Sequence, residues 1–116
     1  MRTIIAGSRT FDDYPAMYYA MKSCPFQITE VVSGNAAGAD RLGETWAWYN
    51  RIPVTMFKPD WDKFGKSAGV RRNRQMAEYA DALVAFWDGS SKGTAHMIQE
   101  ATKQGLVVHV VKFSAL

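Results

Sequence analysis

Ala82-Leu83-Val84-Ala85-Phe86-Trp87 is apolar at every position, so it lacks the in-and-out alternation of a strand with one wet face. Thr3-Ile4-Ile5-Ala6 near the amino terminus shares that character. Such strands need cover on both faces. The segments between them supply it, because their apolar residues recur at helical spacing. Tyr14, Met17, Tyr18 and Met21 fall at i, i+3, i+4 and i+7 and make one stripe. Strands covered on both faces and separated by helices imply a parallel sheet.

The rest of the chain follows the same alternation. The first helix is expected to begin at Asp12 or Asp13, with Pro15 in its first turn, and to end before Pro25. Thr29 to Val32 reads as the second strand. Leu42, Trp46, Ala47 and Tyr49 give the second helical face, and Val54 to Phe57 a third strand. Lys58 to Ala68, with Pro59, Trp61 and Gly65, reads as a loop. Gly69 to Tyr79 is the third predicted helix, with Val70, Met76, Ala77 and Ala80 for packing. Thr94 is the expected cap of the fourth helix, which carries Ala95, Met97, Ile98 and Ala101 inward and stops at Gly105. Leu106 to Val111 is the last strand. The expectation is a Rossmann-like, doubly wound, mostly parallel five-stranded sheet with helices on both faces, and 116 residues leave room for one domain spanning 1–116.

A single cysteine, Cys24, excludes an internal disulfide and fits the cytoplasm; it reads as a half-buried helix-end residue. No stretch approaches the roughly 18 apolar residues of a membrane span, and no membrane partner is expected. The net charge of +3 is compatible with anionic ligands and too small to argue nucleic acid alone. Four Trp, five Tyr, six Phe and six Met exceed what a core this size needs, which suggests a homo-oligomer, a dimer or higher.

In a doubly wound sheet the βα turns meet at one edge, where ligands bind near the point at which the winding reverses. The turns here are Gly7-Ser8-Arg9, Ser33-Gly34-Asn35-Ala36-Ala37-Gly38-Ala39-Asp40, and Asp88-Gly89-Ser90-Ser91-Lys92-Gly93-Thr94. The third turn feeds Arg71, Arg72, Asn73 and Arg74 into the start of a helix. Glycines allow close backbone approach, helix-start amides favour an anion, and guanidinium forks match phosphate oxygens. Three cations at a helix amino end oppose the dipole unless an anion sits nearby. These features converge on an anion site. Neither G-x-x-x-x-G-K-[ST] nor G-x-G-x-x-G is present. His96 and His109 lack metal-ligand spacing, so neither a metal nor a cofactor is expected. His96 lies two positions after Thr94, within reach of a ligand there; His109 reads as structural.

Gly7-Ser8-Arg9, Val32 to Arg41, Asp60-Trp61, Gly65 to Gly69, Arg72 to Ala77, Ala80 to Phe86 and Gly93-Thr94, in that order, resemble the YspA-like branch of the SLOG superfamily. That superfamily unites the DprA/Smf DNA-processing proteins with the LOG phosphoribohydrolases, and many YspA-like members are small bacterial or phage proteins. The resemblance runs from Arg2 to about Val111. It implies nucleotide-derived ligands at the glycine-rich edge. The LOG signature maps its Arg onto Arg72, its Met onto Met76 and its Gly-Thr onto Gly93-Thr94, but its Glu position falls on Met97. Met97 cannot handle a proton, and Glu100 lies about one turn further on. The first Gly-Gly of that signature is Gly89-Ser90 here.

Three functions follow as expectations. The first is binding of a nucleotide or nucleotide-derived signal, to sense it or, in a phage member, to sequester it in an anti-defence role. Its ligand contacts would be Gly7, Ser8, Arg9, Ser33, Gly34, Asn35, Ala36, Gly38, Asp40, Trp61, Arg72, Asn73, Asp88, Gly89, Ser90, Ser91, Gly93 and Thr94. The second is LOG-like hydrolysis of an N-glycosidic bond in a nucleoside monophosphate or NAD, with Arg72 on the phosphate and Asp40, Asp88 or Glu100 assisting. The third is DprA-like binding of single-stranded nucleic acid through Arg41, Lys66, Arg71, Arg74 and Trp61. Trp61 fits a base-stacking role and a loop-anchoring role equally.

Overall fold

The computed structural model describes residues 1–114. Five strands, β1 (Arg2–Gly7), β2 (Glu30–Ser33), β3 (Val54–Met56), β4 (Ala82–Trp87) and β5 (Val107–Lys112), form one sheet in the order β3-β2-β1-β4-β5. Every neighbouring pair is parallel. This is the doubly wound α/β architecture expected from strands apolar on both faces. Ile4 and Ile5 are fully buried yet point to opposite faces, and the same holds for Leu83 and Val84.

Helices α1 (Tyr14–Lys22) and α2 (Ala39–Tyr49) cover one face, where Met17, Met21, Trp46 and Ala47 pack with Ile5, Val31, Val84 and Phe86. Helices α4 (Ala68–Tyr79) and α5 (Lys92–Lys103) cover the other, where Met76, Ala77, Met97 and Ala101 pack with Ile4, Val32, Leu83 and Ala85. The winding runs outward from β1 to β3 and then crosses back over to β4. The switch point therefore lies between the carboxyl ends of β1 and β4.

Several boundaries differ from the sequence reading for local reasons. The Lys58–Ala68 segment is not a plain loop. Asp60 accepts the Lys63 amide at 3.1 Å and caps a short helix, α3 (Trp61–Phe64), which runs through a 3₁₀ turn (Gly65–Ser67) into α4. Helix α5 starts one turn earlier than expected, because Ser91 rather than Thr94 is its cap and accepts the Thr94 amide. The second strand is Glu30–Ser33, which brings Ser33 into the sheet. Tyr18, Tyr49 and Val70, assigned to packing faces, are exposed. The last strand is an edge, so Val107 and Val110 meet solvent.

Candidate functional site

Gly7 ends β1 at the switch point. A Cβ there would lie 2.8 Å from the Ala39 Cβ and drive into the Phe86 carbonyl, so only glycine lets β1, β4 and the start of α2 come this close. Ser8 follows, buried, and ties the turns together. Its amide donates to the Phe86 carbonyl at 2.9 Å, its carbonyl accepts from Phe11 and Ala39, and its hydroxyl accepts from the Asp88 amide at 3.3 Å. All of these partners lie within the fold, so Ser8 braces the rim from below. Gly38, at φ +84°, packs against the Ser8 and Arg9 carbonyls and starts α2.

Above the switch point lies a cavity of about 300 Å³, lined on its polar side by Arg9, Asp40, Arg72, Asn73, Ser91 and Thr94, with Gly7, Ala36 and Gly93 presenting backbone. Met76 and Met97 form its apolar floor. Two further chambers adjoin it through the shared Arg9 and Arg72. One, of about 290 Å³, includes Gly34, Asn35, Lys58 and Trp61. The other, of about 320 Å³, includes Trp61, Lys66, Lys92 and His96. Trp61 stands half-exposed at the rim between them.

Arg72 is the central cation. Its Nη1 donates to the Gly34 carbonyl at 2.6 Å and its Nε to Asn73 Oδ1 at 3.0 Å. Gly34 is confined in turn, since a Cβ there would run into the Arg72 guanidinium and Asp40 Oδ2. Burial lowers the Arg72 pKa; the Asp40 carboxylate opposes that shift and the neighbouring Arg9 adds to it. Two guanidiniums thus share one cleft. Arg71 and Arg74 turn away: Arg71 donates to Ser67 Oγ at 3.1 Å and covers the Phe64 ring, and Arg74 stands 3.8 Å from Glu100 Oε1. With α4 beginning at Ala68, Arg71 is its fourth residue and Arg72 and Arg74 lie beyond its first turn, so the crowding of cations on the helix dipole is eased by position.

Asp40 is buried beside Arg72, with the Ala36 amide donating to its Oδ2 at 3.3 Å. Desolvation raises its pKa to about 6, against the pull of the Ala36 amide and Arg72 and with a smaller contribution from Glu44. Ser33 is buried and donates to Glu44 Oε2 at 2.6 Å, while its hydroxyl accepts the Asn35 amide. Asn35 takes a left-handed φ of 57°.

The turn after β4 is internally satisfied. Asp88 Oδ1 accepts the Ser90 and Ser91 amides at 2.9 and 2.8 Å, and these bonds lower its pKa. Trp87 Nε1 fastens the turn to the Ser91 carbonyl. Gly89 and Ser90 are exposed, and none of the chambers includes them. At the start of α5 the Lys92 and Gly93 amides have no partner among the described residues, and the space above Gly93 is open. Met97 lines the cavity, whereas Glu100 lies behind it, beside His96 and Arg74. Among the described residues no helix is long and apolar enough to cross a membrane, and there is no cluster of three or more metal-ligating side chains.

The profile of the YspA, cpYpsA-related SLOG family matches residues 1–64. That span carries the Gly7-Ser8-Arg9 and Ser33–Asp40 turns; Arg72 and Thr94 lie beyond it. The chain is also similar to the "Gene 61 protein" of Mycobacterium phage D29, 37% identical over 117 residues that cover 92% of this chain and 93% of the relative. No solved structure matches it.

Proposed function

The chain belongs to the YspA, cpYpsA-related SLOG family, and from that premise we propose that it binds a nucleotide or nucleotide-derived small molecule by its phosphate in the cleft above β1 and β4. The observation that carries this reading is the approach of Arg9 and Arg72 at one cavity that also receives the open amino end of α5. Two like charges held together in a partly buried cleft repel, and a phosphate between them relieves the repulsion. The helix-start amides add donors along the dipole. The chambers flanking Trp61 give a base or sugar room beside the phosphate, and Trp61 offers a ring face for stacking.

The test is calorimetry with AMP and adenosine on the full chain, with chromatography of the nucleotide released from freshly purified protein. Binding of AMP and not adenosine supports the reading; equal binding, or none of either, sinks it. Affinity that grows with oligonucleotide length and falls steeply with salt would instead favour a single-stranded nucleic-acid partner.

One observation favours a second reading. Asp40 lines the cavity with a carboxyl whose pKa burial raises to about 6, which suits proton exchange with a bound ligand. Its place in the cavity supports Asp40 over Asp88 and Glu100 as the carboxylate that would assist N-glycosidic hydrolysis, with Met97 at the position of the LOG glutamate. Release of free base from AMP or NAD, lost in Asp40→Asn, is the result that would establish turnover.

The proposal extends to setting. A phage-encoded member would act in the host cytoplasm and hold down the free concentration of its ligand. The exposed Tyr19, Trp48 and Tyr49 on α1 and α2 suit a homo-oligomeric contact, which sedimentation would detect.

A further inference from the structure

Glu100 is an expensive residue to keep where it is. It sits on α5 with about one-tenth of its side chain exposed, and its Oε2 is buried with no partner among the described residues. Its Oε1 faces two groups, His96 Nε2 at 3.4 Å and Arg74 Nη2 at 3.8 Å. None of the three chambers around Arg9 and Arg72 reaches it.

His96 leads from Glu100 back to the cleft. Its Nδ1 lies 3.1 Å from Asn73 Nδ2, and Asn73 Oδ1 lies 3.0 Å from Arg72 Nε. The proton positions follow from one end. Arginine can only donate, so the Asn73 atom facing Arg72 must be its oxygen. That leaves the Asn73 amide nitrogen to donate to His96, so Nδ1 must accept. The ring hydrogen is then on Nε2, which lies 3.4 Å from Glu100 Oε1, an ion-pair approach without hydrogen-bond geometry that favours this tautomer through its charge. Each hydrogen-bonded link from the guanidinium to His96 Nδ1 leaves the next only one arrangement, and the Glu100 charge beyond Nε2 favours the same one.

We propose that Asn73, His96 and Glu100 form a directional relay across α4 and α5 that fixes the orientation of the Arg72 guanidinium, which makes His96 and Glu100 positioning residues for the phosphate cleft. Nε is held by Asn73 and Nη1 by Gly34, so the plane of the fork is set from two sides and the remaining N–H groups are ready before ligand arrives. Without His96 the Asn73 amide loses its acceptor and can rotate, and the Arg72 Nε–H loses its fixed partner.

The inference rests on the phosphate-binding reading for its consequence, but its geometry is measurable without ligand. Nitrogen-15 NMR of the full chain reads two quantities directly. The His96 ring is expected as the Nε2–H tautomer. The Arg72 Nε–H is expected to exchange with solvent more slowly than that of exposed Arg41, and about fivefold faster in His96→Ala, the equivalent of one neutral hydrogen bond. His96→Asn keeps an acceptor oxygen where Nδ1 was and should restore slow exchange; His96→Leu fills the space without an acceptor and should not. Inorganic phosphate affinity should follow the same order, weakening about fivefold in His96→Ala and His96→Leu. An Nδ1–H tautomer in the unmodified protein, unchanged Arg72 exchange in His96→Ala, or equal rescue by Leu and Asn overturns the relay. Arg72 exchange that responds as described in a protein binding neither phosphate nor AMP leaves the relay standing and removes the binding function.

Discussion

The turns after β2 and β4 are both built from glycine, serine and one aspartate, yet the two carboxylates meet opposite surroundings. Asp40, in the first turn of α2, is buried with the Ala36 amide at 3.3 Å, and desolvation carries its pKa to about 6. Asp88 sits at the surface and accepts two amides below 3 Å, which lowers its pKa. The Asp88 carboxylate closes only the Ser90–Ser91 part of its turn, while Gly93 and Thr94 further along line the cavity. The turn after β2 stays open toward Arg72, which reaches across from α4 to the Gly34 carbonyl. Composition alone therefore does not make a phosphate cradle. The turns differ in how fully their own carboxylates take up their amides: Asp40 accepts the Ala36 amide at 3.3 Å, Asp88 two amides below 3 Å.

The difference predicts where damage concentrates. Arg72→Ala should weaken AMP binding by about 10- to 100-fold, the scale of one charge-assisted hydrogen bond, and leave adenosine nearly unaffected. Gly34→Ala should move binding the same way with the fold retained, because the added Cβ meets the movable ends of Arg72 and Asp40 and displaces the guanidinium. Titration calorimetry checks both; equal loss of AMP and adenosine would remove Arg72 from the phosphate.

Asp40 comes next in size. Its folded pKa lies near 6 against about 4 in an unfolded chain, so between those values the folded state holds more proton than the unfolded one. Asp40's stabilising contribution is therefore complete below about pH 4 and is lost as pH rises through about 6. Asp40→Asn should remove this slope and leave the variant roughly 2 kcal/mol more stable relative to the parent at pH 7.5 than at pH 4. Urea melts across that range measure it. Phosphate affinity at pH 7.5 should also rise, since a negative charge has left the cleft.

Much of this organisation was legible in the residues themselves. Segments such as Ile4-Ile5 and Leu83-Val84, apolar on both faces, dictated a covered parallel sheet, and the sheet forms as that pattern requires. Helix ends were less legible, because capping depends on which of several hydroxyls reaches the amides. Ser91 and Thr94 are both competent by type, and only the turn held by Asp88 gives the position to Ser91. Helical phase could have sorted the arginines of α4: at 100° per residue, Arg71, Arg72 and Arg74 cannot share a face. The Asn73–His96 contact spans 23 residues and two helices, and no local pattern encodes it.

A paired test of the glycines sharpens the contrast between the turns. Gly89, unlike Gly34, has a positive φ, +88°, and a Cβ added there would meet nothing within 4 Å. Gly89→Ala should therefore cost only the left-handed backbone preference, about 1 kcal/mol, with AMP affinity unchanged. Thermal denaturation and calorimetry together separate this outcome from the binding loss of Gly34→Ala.

The smallest effect is expected at Asp88 itself, and it bears most directly on the idea of a built-in anion. Asp88→Ala removes the acceptor of the Ser90 and Ser91 amides, while Trp87 still fastens the turn through the Ser91 carbonyl and Ser91 still caps α5. Those two amides should then exchange faster with solvent, and the melting temperature should move little, because the carboxylate is exposed and screened. Asp88→Asn keeps an acceptor oxygen and should retain most of the protection. If added phosphate slows exchange at Ser90 and Ser91 in the alanine variant alone, the side chain had been filling an anion site. If phosphate slows them equally in the parent protein, Asp88 yields to ligand, and the Ser90 and Ser91 amides join the cavity that Gly93 and Thr94 already line.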